Sequence, residues 1–362
     1  MSAPAPHGQR TLDDRVVKLL LPLPLIRAMD RLLVAGVGGF TTRNEFVREA
    51  IDSYILELTH EEAPEEPNAR SDRRLAVAPK ERSSNAADLL EFRPAASQLA
   101  GRLLLEATML LPPPATLTVG SGEAEVIAEP LFGMHNRDYP SLWVARRLAD
   151  YLAAGPLSFD EFTERATEEA WAFAEALRPL EHELGQKLTA LFPTNPEKQQ
   201  TASSAFRTFA IGSLLVRDDA IRAEGPLFLW RLIDVTRAGG GTVVRLTRLG
   251  KELLERLTGL TVAPPHSPEQ ARIFLAHLRK HAPADWWGFE RVVALVAERP
   301  TRAALIDGFR AAHPAWGESV AATNAQGYVA RAREWGLIAP KVIDGRYELT
   351  QLGAELAEGV DR

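Results

Sequence analysis

The chain has 362 residues, of which 46% are hydrophobic and 25% charged, and its formal net charge is −6. This length suggests two or three domains, and the acidic balance excludes a general basic field, so any DNA binding must use local patches. The absence of cysteine excludes disulfides, zinc ribbons and thiol catalysis. Since no apolar run could span a bilayer and no export signal is visible, we expect a cytoplasmic protein without a membrane partner.

The most informative stretch lies near the N-terminus. Residues 16–21 alternate like a short strand that Pro22 ends, and apolar residues between 25 and 33 then recur at helical spacing. A second helix begins at a capping box formed by Thr42 and Glu45. Because the strand has no partner within this segment, a second copy of the chain must supply one, and we predict a homodimer.

Residues 15–58 resemble the ribbon-helix-helix (Arc repressor-like) DNA-binding family. The resemblance covers about a sixth of the chain and rests on Leu21-Pro22, Leu25, Met29-Asp30 and the run from Thr42 to Ile51. In that family two strands pair into a ribbon that enters the DNA major groove, and the second helix holds a phosphate at its N-terminus. The resemblance therefore implies a homodimer that binds double-stranded DNA.

The expected DNA contacts in this domain follow from strand alternation. With Leu21 on the core side, every second residue before it faces the groove. The contacts are Val16, Lys18 and Leu20 in the ribbon, and Thr41, Thr42 and Arg43 at the second helix. Lys18 is the only polar residue of the three in the ribbon, whereas the family mostly places polar residues there. Two interpretations stay open, a ribbon that binds DNA with modest sequence discrimination and a ribbon that only dimerises.

Two segments lack the composition of a folded domain. Residues 1–14 have no periodicity and are expected to form a disordered arm, and residues 59–97 are predicted to be a flexible linker because they contain few large apolar side chains. Beyond the linker the patterns predict several helices and one hairpin. The helices span 99–111, 142–153, 164–192 and 205–216, and the hairpin spans 116–127.

An internal repeat organises the remainder of the chain. Residues 246–253 (LTRLGKEL) match residues 349–356 (LTQLGAEL), and each copy follows a helix, a Leu-Ile pair and a predicted hairpin. This order resembles the winged-helix fold. It predicts a winged-helix-like domain with a helical insertion at 98–260 and a second winged-helix domain at 261–362. The predicted fold class is therefore mainly α with short β-hairpins, in tandem winged-helix-like domains after the N-terminal domain and linker.

These units offer further candidate DNA contacts. The predicted helices of the second unit span 289–297, 301–312 and 318–335, and the last would be a recognition helix. Its expected contacts are Asn324, Gln326 and Arg331, those of the following wing are Lys341 and Arg346, and those of the first unit are Arg245, Arg248 and Lys251. An ordinary solvated helix face is the alternative, and winged-helix units also bind proteins.

Signs of catalysis are sparse. His277 and His281 lie four residues apart on a predicted helix and could share a metal, but no third ligand is obvious, so solvent-facing histidines are expected. Residues 239–241 lack the lysine of a phosphate loop and predict a hairpin turn. In the polar cluster 135–138, Asn136 or Asp138 is expected to cap a helix. We therefore expect no enzyme and no cofactor.

Two functional hypotheses remain. The first is a DNA-binding transcriptional regulator whose winged-helix units add DNA or partner contacts. The second is a DNA-anchored adaptor or scaffold, in chromosome or plasmid organisation or a defence complex, whose winged-helix body binds another protein. The acidic charge and the apolar groove face favour the adaptor, and the capped, phosphate-ready helix favours the regulator. Both place the protein at the nucleoid.

Overall fold

A computed structural model describes residues 108–115, 117–217, 220–239 and 241–360, all of which belong to one compact unit. The predicted arm at 1–14, ribbon-helix-helix domain at 15–58 and linker at 59–97 lie outside these residues, and so do Val16, Lys18, Leu20, Thr41, Thr42 and Arg43. The described part is mainly helical with small β-sheets, as the sequence predicts. Within it, no helix is long and apolar enough to cross a membrane.

The first half of the described chain combines two long helices with short strands. In chain order its elements are β1 (Glu125–Val126), α1 (Tyr139–Ala154), α2 (Phe159–Leu184), a 3₁₀ turn (Pro196–Lys198), α3 (Gln199–Phe206), a π-helical turn (Arg207–Ile211), β2 (Ser213–Arg217), β3 (Ala220–Glu224), α4 (Pro226–Leu229), β4 (Ile233–Ala238), β5 (Gly241–Leu246) and α5 (Arg248–Arg256). Helix α2 begins where Ser158 Oγ accepts a hydrogen bond from the Glu161 amide at 3.1 Å.

The second half is helical apart from one small hairpin. Its elements are α6 (Pro268–His281), α7 (Pro283–Ala297), α8 (Arg302–Ala312), α9 (Glu318–Glu334) and α10 (Gln351–Val360). Bridges between Ile338 and Leu349 and between Ile343 and Arg346 form the hairpin before α10. The order of three helices followed by a hairpin is the order that the sequence predicts for residues 289–349, and α10 after the hairpin is not predicted.

The sheets bring distant segments together. Strand β3 lies between β1, to which it is parallel, and β2, to which it is antiparallel, and β4 pairs with β5. The segment before β1 bonds to the second sheet, since the Glu123 amide donates to the Val235 carbonyl at 2.8 Å and the Gly120 amide to the Leu246 carbonyl at 3.1 Å. The prediction of a hairpin at 116–127 is therefore wrong, because this segment pairs with strands a hundred residues away.

Three predicted helices differ from the structure. The helix predicted at 205–216 ends in the π-helical turn, because Gly212 takes a φ of 121° and the following residues form β2. The helix predicted to reach residue 192 ends at Leu184, where Gly185 adopts the left-handed conformation. The helix predicted at 99–111 lies mostly outside the described residues, and residues 108–111 are not helical.

The repeat has the same local structure in both copies. Thr247 Oγ1 accepts from the Gly250 amide at 2.9 Å, and Thr350 Oγ1 accepts from the Gly353 amide at 3.1 Å. Each glycine is the third residue of a helix, α5 or α10, so the Thr-x-x-Gly spacing of the repeat is a helix cap.

The repeat also extends further back than the sequence analysis found. Residues 230–233 (WRLI) match residues 335–338 (WGLI), and Arg231 and Gly336 both have positive φ, at 57° and 67°. In each copy the amide of the capping threonine donates to the leucine carbonyl of this motif, at 2.9 Å for Leu232 and 3.0 Å for Leu337. The motif and the cap therefore form one folded unit that occurs twice.

Alanine at Gly250 or Gly353 is expected to destabilise the protein by about 1–3 kcal/mol, as overpacking does elsewhere. An added Cβ would overlap the carbonyl oxygen of Leu232 or Leu337, which is backbone and cannot rotate away. Denaturant unfolding measures the effect. Gly241→Ala is the matched control, because nothing lies within 4 Å of its Cβ position. Equal stability of all three variants would contradict the packing argument.

Candidate functional site

A buried cluster of charges joins the segment before α1 to α7 and α9. Arg331 of α9 is only 1% exposed, and its Nε donates to Asp138 Oδ1 at 2.6 Å. Its Nη1 and Nη2 donate to the two carboxylate oxygens of Asp285 at 2.7 and 2.6 Å. Asp138 directly precedes α1 and Asp285 lies in the first turn of α7. One guanidinium of α9 thus binds an aspartate at the start of α1 and another at the start of α7.

Two tryptophans also donate hydrogen bonds to the aspartates of this cluster. Trp230 of the first copy donates from Nε1 to Asp285 at 2.8 Å, and Trp335 of the second copy donates to Asp138 at 2.7 Å. Phe274 of α6 contacts both indoles, at ring-centroid distances of 5.1 and 4.4 Å. Each copy of the WxLI motif therefore contributes a tryptophan to the same cluster, Trp230 to Asp285 and Trp335 to Asp138.

Glu334 extends the cluster to the N-terminus of α1. Its carboxylate accepts from the backbone amides of Asp138 at 2.6 Å and Tyr139 at 3.1 Å. Arg137 donates to it from Nε at 2.9 Å, and His266 Nε2 lies 3.4 Å away. A carboxylate at the start of a helix is stabilised by the free amides and by the helix dipole. Asp138 is the N-cap residue of α1, as expected, but its side chain makes no capping hydrogen bond and Glu334 accepts from the helix amides instead.

The pKa shifts in the cluster follow from burial and pairing. Burial raises the pKa of Asp285, but the Arg331 guanidinium more than offsets this effect and holds the pKa below its usual range. Burial likewise opposes ionisation of Glu334, and Arg137 and His266 keep its pKa low. Burial lowers the pKa of Arg331, yet Asp138 and Asp285 raise it well above its ordinary value. These charges are therefore fixed partners, which suits a structural lock better than proton transfer.

The predicted recognition helix, α9, is covered. Beyond Ser319 each of its residues is buried or half-buried. Asn324 is 2% exposed, and its Oδ1 accepts from the Gly133 amide at 2.8 Å. Gln326 is half-buried with Nε2 3.5 Å from the Tyr347 hydroxyl. The expectation that α9 exposes Asn324 and Arg331 is wrong.

The loop at Gly133 covers one face of α9. A Cβ added at Gly133 would overlap the backbone of α9 at Thr323 and Asn324, and one added at Gly327 would overlap Gly133 itself. These contacts show that backbone packs directly on backbone. The two glycines allow the loop before α1 to lie directly on α9.

The wing bases, by contrast, are at the surface. Lys341 and Arg346 are exposed on the second hairpin, and Arg346 donates to the Arg299 carbonyl at 2.9 Å. Arg245 is exposed on β5 and contacts Thr236 Oγ1 at 3.2 Å. On α5, Arg248 lies 3.7 Å from Glu252 and Lys251 lies 3.9 Å from Glu255. The predicted basic patch of the first unit is therefore interleaved with carboxylates.

The histidine pair occupies a mixed environment. His277 is buried and its Nε2 lies 2.7 Å from the Trp230 carbonyl, whereas its ring centre lies 5.0 Å from that of His281. The prediction that both histidines face solvent is therefore wrong for His277. Within the described residues, no group of three His, Cys, Asp or Glu side chains could hold a metal ion.

No family model, curated protein or solved structure matches the chain.

Replacing Arg331 with methionine is expected to destabilise the protein by about 3–5 kcal/mol, because Asp138 and Asp285 would stay buried without their cation. Arg310→Met is the matched control, since Arg310 forms an exposed pair with Asp307 and such pairs contribute about 0–1 kcal/mol. Denaturant unfolding followed by tryptophan fluorescence compares the two. A loss no larger than that of the control would show that the cluster does not stabilise the fold.

His277 should make the stability pH-dependent. Burial lowers its pKa to about 4 from an ordinary value of about 6.5. Between these values the unfolded chain binds a proton that the folded chain does not, so the free energy of unfolding falls as the pH drops through this window, by about 3 kcal/mol. We expect His277→Gln to lose this contribution. The difference between variant and parent, measured by denaturant unfolding at pH 7 and pH 4.5, should change with pH, and an unchanged difference would contradict the assignment.

Proposed function

We propose that the chain is a DNA-anchored, non-enzymatic adaptor. In this proposal residues 15–58 bind DNA as a homodimer, and the body at 108–360 presents a rigid surface to another protein. The observation that carries it is the position of α9. The helix that a winged-helix unit would insert into the major groove has Asn324 and Arg331 in the core, and it could enter a groove only if the body opened.

The anchor is supported by the sequence of the N-terminal segment. Lys18 supplies a cation on the groove side of the predicted ribbon, and Arg43 lies in the first turn of the capped helix. Because the whole chain is acidic, affinity for DNA would come from these local contacts and would fall steeply with salt.

The role of the body is supported by how its charges are arranged. Arg331, Arg137, Asp285 and Glu334 are paired with one another or with their neighbours inside the protein. At the surface, the tip of the second hairpin instead carries two apolar side chains, Val342 and Ile343, both 44% exposed. Exposed apolar residues at a hairpin tip are typical of a protein contact rather than a phosphate contact.

A second candidate function keeps the body on DNA through its wings. It is favoured by the exposure of Arg245, Lys341 and Arg346, which point to phosphate contacts that need no recognition helix. In this case the protein would be a regulator in which the body adds affinity without reading sequence.

Charge changes in the full-length protein test these two functions. Lys18→Ala and Arg43→Ala are each expected to weaken binding to random duplex DNA and to reduce the log–log salt slope by about one unit. The combined reversal of Arg245, Lys341 and Arg346 to glutamate should leave the affinity at the level of Arg178→Glu, an exposed residue on α2 outside both wings. Gel shifts at several salt concentrations measure each variant.

The outcomes separate the candidates. Unchanged affinity in both the Lys18 and Arg43 variants would overturn the DNA anchor. A loss of affinity on wing reversal that exceeds the loss with Arg178→Glu would favour the regulator over the adaptor.

A further inference from the structure

Strand β2 has one open edge. In the described sheet β3 separates it from β1, and no described strand pairs with its other side. The Ile127 amide donates to the Ala223 carbonyl at 2.9 Å, so the backbone groups of Ala223 point away from β2. Backbone direction alternates along a strand, and Arg222 and Glu224 must therefore point toward β2.

The register then shows which groups of β2 are directed outward. Leu215 pairs with Arg222 and Ser213 pairs with Glu224, so their amides and carbonyls face β3. Leu214 and Val216 consequently direct their amides and carbonyls to the open edge. No backbone hydrogen bond to either residue comes from the part of the chain outside β3 that the structure describes.

The open edge is also apolar. Leu215 is 37% exposed and Val216 is 53% exposed, and the strand contains neither proline nor an inward charge. Soluble proteins usually blunt such edges, because an unpaired apolar strand accepts another strand readily. An edge without these features is suited to a regular partner.

We propose that β2 pairs antiparallel with β2 of a second copy of this chain, about a two-fold axis at Leu215. In this register Leu214 lies opposite Val216 of the second copy on one face, and the two Leu215 side chains meet on the other. Both outward residues then exchange amide–carbonyl bonds, which gives four hydrogen bonds across the axis. Moving the axis by one residue would place Leu215 opposite Ser213 or Arg217, so only this register matches apolar residues throughout.

The charges at the strand ends complement one another in the same register. Arg217 lies opposite Ser213 of the second copy, and the Ser213 hydroxyl donates to the Glu224 carboxylate at 2.7 Å. Because Arg217, Ser213 and Glu224 share one face of the sheet, the arginine of each copy approaches the carboxylate of the other. The two-fold axis produces this pairing twice, which is the self-complementarity that a symmetric interface needs.

The second copy is the occupant that the proposed homodimer supplies, and the inference rests on the proposed function to that extent. Two bodies joined through residues 15–58 would meet at an effective concentration set by the connecting chain rather than by the bulk solution. The weak pairing of two short strands could then persist, and a continuous six-stranded sheet would fix the relation of the two bodies.

The absence of cysteine allows a direct test in the full-length protein. Leu215→Cys would introduce the only thiol of the chain. Residues directly opposite in a non-hydrogen-bonded antiparallel pair lie about 4.5 Å apart between Cα atoms, which is within the range that a disulfide bridges. We therefore expect mild oxidation to convert most of this variant to a covalent dimer. The yield should be independent of protein concentration if residues 15–58 already join the copies.

Arg217→Cys and Leu184→Cys are the matched controls. Two residues 217 would lie about 13 Å apart across the proposed axis, since each is two residues from it. Leu184 is exposed at the end of α2, away from β2 in the chain. Val216→Pro, added to Leu215→Cys, removes an outward amide that the fold does not use and should reduce the dimer yield several-fold.

A yield at Leu215→Cys no greater than that of the controls would overturn the inference. In that case thiol labelling identifies the alternative: rapid labelling means an open edge, and protection without a dimer means that another strand covers it. DNA affinity measured on the same variants keeps the proposals apart. Loss of the crosslink with normal DNA binding would overturn the strand pairing alone, whereas a crosslink in a protein without DNA affinity would overturn the DNA anchor alone.

Discussion

The described structure depends on the contacts of Arg331 with Asp138 and Asp285. Removing three charges from water carries a desolvation penalty of several kcal/mol per ion, which only close, well-directed hydrogen bonds can offset. The planar guanidinium satisfies this condition because it donates to both carboxylates at 2.6–2.7 Å. Apolar residues of similar volume could have stabilised the same contact equally well. We therefore interpret the cluster as an interaction that specifies how α1, α7 and α9 pack together.

The indoles of Trp230 and Trp335 each add a hydrogen bond to one of these aspartates. Asp138 accepts a hydrogen bond from Trp335 and Asp285 accepts one from Trp230, so each aspartate has one partner from a distant copy of the WxLI motif. Asp285 also accepts from Tyr328 and Arg331. A buried carboxylate that loses a hydrogen-bond partner destabilises the fold. Moving either tryptophan away from its aspartate would therefore be unfavourable. The shared position of Phe274 between the indoles adds apolar contact to the same joint. The described residues consequently form one compact unit, and a function that needs α9 to move away from α1 is disfavoured.

The boundaries of the helices could be predicted from the sequence better than the contacts that bury their faces. The sequence predicts a helix at 318–335 and the structure has α9 at 318–334, because Gly317 before it and Gly336 after it, with a φ of 67°, are local signals. Which of its faces is covered depends on Gly133, almost two hundred residues away, and no local pattern contains that contact. One sign was available in the sequence. Small residues such as Ala321, Ala325 and Gly327 lie on several faces of this helix, as in a helix that is enclosed rather than amphipathic. The charged network was missed for the same reason, since its members come from four separate segments.

The division between inward and outward groups bears on how the body can recognise a partner. The described arginines and carboxylates with the strongest pairing are spent inside the protein, and the bases of α5 lie beside glutamates. Exposed apolar side chains lie on two hairpins, at Val342 and Ile343 and along β2 at Leu215 and Val216. Contacts made through strand edges and hairpin tips depend on shape and backbone hydrogen bonds more than on charge. Such contacts tolerate an acidic chain, whereas contacts to DNA phosphates would have to overcome its repulsion. The charge of the chain and the placement of its apolar groups therefore favour protein contacts over DNA contacts for the body, in line with the proposed adaptor.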